Sequence, residues 1–161
     1  MKMSRILING IIIFVCIALF FLLMEVTHLS DQIYLRLVNF IFVIYGINRT
    51  IKLNFKDRID GYFTNFIAAV LTGIVSLVLG LISFIAYVEY RGGEDYLRTF
   101  AESFIFGGGD PSIYQFCIGL FLEGAAASVI VSFALMQYWK DKVEKINRVD
   151  DGNHKANTSK F

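Results

Sequence analysis

Proline and histidine are nearly missing from this chain, with one of the first (Pro111) and two of the second (His28 and His154) in 161 residues. One proline leaves little to interrupt long helices. The two imidazoles fall between the first two apolar runs and in the tail, which excludes a two-histidine haem site within the chain. Cysteine is equally sparse, and Cys16 and Cys117 fall at mismatched depths of their apolar runs, so they read as small apolar residues and not as a disulfide. No phosphate loop, metal-ligand spacing or nucleophile elbow occurs, and Ser128 and Ser132 have no histidine or lysine at their depth to activate them. No catalytic, cofactor-binding or metal-binding residue is assigned, and the sequence offers no case for an enzyme. Charged residues are also scarce, at 18% against 56% hydrophobic. A soluble domain carries about 25% charged residues, so the shortage points to a lipid environment.

Four apolar stretches occupy that composition, over about 5–27, 33–50, 62–89 and 111–139. Roughly twenty apolar residues suffice to cross a hydrocarbon core of about 30 Å. The expected fold is therefore an all-α membrane protein, a four-transmembrane-helix bundle in one domain (1–146), with a disordered cytoplasmic tail at 147–161. The first stretch is too long for a secretory h-region and lacks a small-residue cleavage site, so it is expected to stay as a helix.

Basic residues divide the two sides. Lys2 and Arg5, the cluster Arg49, Lys52, Lys56 and Arg58, and the lysine-rich region from Lys140 onward all fall on one side, while the opposite loops are acidic. Such a bias is expected to place both termini in the cytoplasm. The 49–58 cluster is read as a topology signal and a contact for anionic lipid, not for nucleic acid. Between the third and fourth spans, Leu97, Phe100, Ala101, Phe104 and Ile105 recur at helical spacing opposite an acidic face, predicting a short interfacial amphipathic helix over about 94–106. It is expected to cover the bundle end, the alternative being a lid or a docking site for a periplasmic partner. Gly107 to Gly109 and an Asp110-Pro111 cap then lead into the fourth span.

Small residues mark where membrane helices approach each other. Gly73, Ser76, Gly80 and Ser83 form one seam on the third span, and Gly124, Ser128 and Ser132 form another on the fourth. These two spans are expected to pack together, within one chain or across a homo-oligomer or larger membrane complex. On the second span, Arg36, Asn39, Val43, Gly46 and Thr50 share a stripe that should face protein.

Glu123 is the one acid deep in a span. Counting about 1.5 Å per residue from Ser112 places it about 16–17 Å from the surface, close to the midplane, where a charge costs on the order of 2.5–3.5 kcal/mol. Asn39, about 9 Å deep on the second span, is its expected partner; Arg36 is shallower and within reach of Glu25. Two readings follow. In the first, Glu123 is structural, a protonated acid bonded to Asn39 or to a carbonyl, in a non-enzymatic interaction or accessory subunit. In the second it is the ionisable site of a small proton- or cation-coupled carrier or channel subunit. The first is preferred, because coupled carriers usually show several buried acids or broken helices.

The stretches Val38-Asn39-Phe40, Tyr45 through Lys52, Gly61-Tyr62, Gly73 and Tyr87-Val88-Glu89-Tyr90 resemble a small four-span inner-membrane family of unknown function, found mainly in Bacteroidota. The resemblance covers the second to fourth spans. It implies the four-helix topology and the inner membrane, and carries no site residue.

Overall fold

The structure is a computed structural model, and it describes residues 2–27, 33–59, 61–101 and 112–158. Every regular element among them is helical: α1 (Met3–Val26), a 3-10 segment (Ile33–Leu37), α2 (Val38–Lys56), α3 (Tyr62–Arg91), α4 (Glu94–Ala101) and α5 (Ile113–Thr158). Three stretches are long and apolar enough to cross a membrane, namely α1, α3 and the Ile113–Lys140 part of α5. The predicted second span does not meet that description. Its helix begins at Val38 after a 3-10 turn and runs to Lys56, taking in Asn48, Arg49, Lys52 and Asn54, so its average polarity is too high.

Long helices form because few residues interrupt them, and they stop where glycine permits a reversal. At the end of α3, Gly92 and Gly93 take φ of +125° and +67°, a left-handed conformation that costs glycine little. The Gly93 amide then donates to the Val88 carbonyl at 2.8 Å, closing the helix end. After α2 a non-glycine does the same work, with Arg58 at φ +53°.

Contacts along the helices fix their directions. Arg5 Nη1 donates to the Leu53 carbonyl (2.8 Å) and the rings of Phe20 and Phe42 meet edge to face, so α1 and α2 are antiparallel. Phe21 meets Tyr87 and Glu25 meets Arg91, so α3 runs parallel to α1. Phe116 packs on Phe84 and Gln137 donates to Tyr62, so α5 is antiparallel to α3. The start of α1, the end of α2, the start of α3 and Trp139 of α5 therefore share one end of the bundle.

Two apolar cores hold this arrangement. One, around Ile13, Ile47, Ile51, Ala69, Met136 and Trp139, lies toward the shared end. The other, around Val88, Leu97, Ile113 and Phe116, lies at the far end. Leu97 of α4 is fully buried in the second, so the short helix covers that end of the bundle. The remainder of the predicted surface helix (102–106), the glycine run and the Asp110-Pro111 cap lie outside the described residues. Most other large apolar side chains point outward, including Leu19 at 63% exposure and Ile130 at 66%. An apolar girdle on that scale suits hydrocarbon and not water.

The backbone of α5 continues to Thr158. Once a long helix is nucleated, each further residue adds a hydrogen bond without a new nucleation cost, and no proline stands between Trp139 and Thr158 to stop it.

Candidate intramembrane site

The most extensive helix packing joins α3 and α5. Glycine permits it. A Cβ on Gly73 would lie 2.5 Å from Ser128 Oγ, and one on Gly124 would lie 2.5 Å from Leu77 Cδ1. Ser128 is buried and donates to the Gly124 carbonyl at 2.8 Å, so its hydroxyl is satisfied within its own helix. The seam ends sooner than its sequence spacing suggests. A Cβ on Gly80 would meet nothing within 4 Å, and Ser83 is exposed. Neither residue takes part in the helix contact.

Gly80 borders open space because a cavity of about 400 Å³ lies there. It sits between the two apolar cores, at the level of Ser76 and Leu77, the middle residues of α3. Four helices contribute. Phe14, Ile17 and Phe21 come from α1, Asn39 and Val43 from α2, Ser76 and Phe84 from α3, and Leu120, Glu123 and Ala127 from α5. The walls are thus largely aromatic and aliphatic, with polar groups from Asn39, Ser76, Glu123 and Ser128.

Asn39 and Glu123, paired on the basis of depth, do line one cavity. Asn39 Oδ1 is buried with no hydrogen-bond partner among the described residues. α2 reaches α5 nearer the shared end, where Trp139 Nε1 donates to Asn48 Oδ1 at 2.8 Å, and both helices border the cavity at Asn39 and Glu123. The Arg36 side chain lies outside the described residues. Glu25 is bound at the far end of the bundle. It accepts from Arg91 Nη2 (2.9 Å) and from the Tyr96 hydroxyl (3.1 Å), with the Arg91 guanidinium also over both tyrosine rings. Burial, and then the Glu25 carboxylate, push the Tyr96 phenol well above its ordinary pKa and keep it a donor.

A second polar centre escaped the sequence reading. Asn9 Nδ2 donates to Thr50 Oγ1 (2.8 Å), which lies 3.1 Å from Thr72 Oγ1, and all three residues are buried. One hydrogen-bonded unit so ties α1, α2 and α3 together. Its signal was available in Asn9, the strongly polar uncharged residue of the first apolar run, which lipid would leave unsatisfied. Its partners come from two other helices, and sequence spacing does not reveal them.

Further buried polar groups extend from this unit at helical spacing: Asn54 one turn beyond Thr50 on α2, Asn65 two turns before Thr72 on α3, and Ser132 one turn beyond Ser128 on α5. Asn54 Nδ2, Asn65 Oδ1 and Ser132 Oγ have no hydrogen-bond partner among the described residues. Groups of this kind are commonly satisfied by buried water. Both cysteines are free thiols, and no cluster of three metal-ligating side chains occurs among the described residues. Comparison with protein-family models, curated proteins and solved structures finds no match to this chain.

Proposed function

We propose that this is a non-enzymatic integral protein of a bacterial inner membrane that crosses the bilayer four times, with both termini cytoplasmic, and acts as an accessory subunit that binds a small membrane-soluble ligand in its central cavity. The cavity carries this reading. Its volume lies within the roughly 300–1,000 Å³ of ligand pockets, and apolar walls with a few polar groups are their usual lining. Packing is dense on either side of it, and small residues bring α3 and α5 together directly below it.

Support for a fourth span comes from α2 itself. It follows α1 from Leu53, beside Arg5, to Leu37, which lines the cavity with Met24, and it turns Ile41, Ile44 and Tyr45 outward. Arg49, Lys52 and Lys56 are exposed near the shared end, which suits a cytoplasmic face in contact with anionic lipid headgroups. Because Gly73 and Gly124 are used within the chain, association with a second copy or another membrane protein would draw on the outer faces.

Native mass spectrometry of the protein released from its own membrane tests the reading. One small molecule should be retained per chain and be lost from Gly80→Leu, whose side chain fills the cavity without meeting backbone. Bare protein in the wild type, or the same adduct in the variant with its helicity intact, would refute it.

The buried polar groups favour a second reading, a small proton- or cation-coupled carrier. Ser76, Thr72 and Asn65 on α3, Thr50 and Asn54 on α2, and Ser128 and Ser132 on α5 lead from the cavity toward the shared end. In that reading Glu123→Gln abolishes coupled uptake into vesicles while assembly is kept. An accessory subunit keeps its function in the same variant.

A further inference from the structure

A hydroxyl on a helix away from water can donate to the carbonyl one turn back. Thr50 does so to Gly46 (3.2 Å), Thr72 to Ala68 (2.8 Å) and Ser128 to Gly124 (2.8 Å). Ser132 departs from the pattern: its Oγ is fully buried and bonds to no group among the described residues, the Ser128 carbonyl included. Asn54 Nδ2 and Asn65 Oδ1 are in the same condition, on residues 1% and 2% exposed. The Asn65 amide has only one good orientation, because its Nδ2 donates to the Ile59 and Gly61 carbonyls (2.9 and 3.0 Å). Turned over, it would set its oxygen against two carbonyl oxygens, so Oδ1 is an acceptor awaiting a donor.

These groups fall into register along the bundle. The Thr50 and Thr72 hydroxyls, 3.1 Å apart, and the approach of Gly73 to Ser128 set α2, α3 and α5 at a common level. Asn54 and Ser132 lie one turn from that level toward the shared end, and Asn65 two turns. Successive turns are about 5.4 Å apart, a distance that two hydrogen bonds of about 2.8 Å cover through a single oxygen. On α3 the residues between are Ala68 and Ala69, which take little of the space. A cation there would face the Asn54 Nδ2 donor and an anion would face Asn65 Oδ1, whereas water donates to one and accepts from the other.

We propose that ordered water runs between α2, α3 and α5 from the α2–α3 turn at the shared end to the central cavity, held by Asn65 Oδ1, Asn54 Nδ2 and Ser132 Oγ. The outer end is set by the Ile59 and Gly61 carbonyls beside exposed Arg58. At the inner end Ser128, which donates within its own helix and keeps its lone pairs for a donor, lines the cavity. The cavity thereby gains contact with the aqueous phase at the shared end. This deepens the carrier reading of the same polar groups and holds without it.

Met136 reports on the water. It is fully buried four residues beyond Ser132 on α5, whereas Met3 at the shared end is 57% exposed. The full chain in phosphatidylcholine nanodiscs is irradiated with X-rays in oxygen-18 water, so that hydroxyl radicals form wherever water is held, and methionine oxidation is read by mass spectrometry. Met136 should take up the heavy oxygen at a rate within about tenfold of Met3 despite its burial. The Asn54→Leu, Ser132→Ala double variant should lower the Met136 rate at least fivefold and leave Met3 unchanged; misfolding would raise the Met136 rate and cannot imitate that result. An unlabelled Met136 in the wild type, or the same rate in the double variant with helicity intact, would overturn the proposal. Asn54→Leu alone should lower the detergent midpoint of unfolding, since it expels water on which Asn65 and Ser132 depend. A raised midpoint would mean a dry, unsatisfied amide and would also overturn it. Vesicle uptake decides the carrier reading separately: labelled Met136 without coupled uptake keeps the water and removes the carrier.

Discussion

Two glycines seven residues apart on α3 should respond in opposite ways to the same substitution. At Gly73 an added methyl group would stand 2.5 Å from Ser128 Oγ and 2.7 Å from Ser128 Cβ. The second atom is rigidly attached to the α5 backbone, so turning the hydroxyl does not relieve the contact. The helices must separate by about 1 Å, at the roughly 1–3 kcal/mol typical of overpacking. The gain in helix propensity from glycine to alanine, up to about 1 kcal/mol, offsets part of it. Gly73→Ala is therefore destabilising by about 1–2 kcal/mol. At Gly80 the propensity gain is the same and there is no neighbour within 4 Å, so Gly80→Ala is neutral or stabilising by up to about 1 kcal/mol. Both proteins would be unfolded with sodium dodecyl sulfate in mixed micelles and followed by the emission of Trp139, the single tryptophan, and by far-ultraviolet circular dichroism. Equal losses at the two sites would refute the reasoning, since they would mean that α3 approaches α5 along the whole seam and that the cavity is closed.

The three-helix polar unit gives a second prediction: Thr50→Val leaves buried Asn9 Nδ2 without its acceptor and costs about 1–2 kcal/mol. Adding Asn9→Leu should recover part of that loss in the same unfolding assay, because removing both partners is nearly neutral; an additive double mutant would count against the unit. At the shared end, Asp57 accepts from Lys2 and Arg5, and these hydrogen bonds hold its carboxyl below the ordinary value of 3.8. A depressed folded value means that the link contributes fully above the unfolded pKa and is lost as pH falls through the lower, folded one. Hydrogen-exchange protection of the first turn of α1 should then be flat between about pH 7 and 5 and decline below about pH 4, with Asp57→Asn removing the pH dependence. A decline beginning near neutrality would assign the effect to another group.

What could be read from one dimension is what depends on composition and period. Long apolar runs with a single proline require helices, and three of them are long and greasy enough for a membrane by any count. The amphipathic spacing around Leu97 foresees a short helix, and Leu97 itself is buried at the bundle end. On α2, the part of the predicted stripe that is described (Asn39, Val43, Gly46 and Thr50) turns inward, as polar residues in an apolar setting must. Its cost was also visible: the same residues make α2 too polar to stand beside the other three on hydropathy alone.

Partnership was decided in three dimensions. Asn9, Thr50 and Thr72 are separated by tens of residues and meet because three helices bring one turn each to the same depth. Glu25 takes Arg91 and Tyr96 because α3 runs parallel to α1 and ends beside it. Gly73 and Gly80 are equivalent by spacing, yet one touches α5 and the other faces empty volume, since interhelical distance depends on the side chains of every helix at that level. Sequence alone determined that Glu123 would be deep among apolar residues, from hydropathy and the fixed rise of a helix. Only the tertiary structure decided that it borders the same cavity as Asn39, because the space between packed helices belongs to no single one of them.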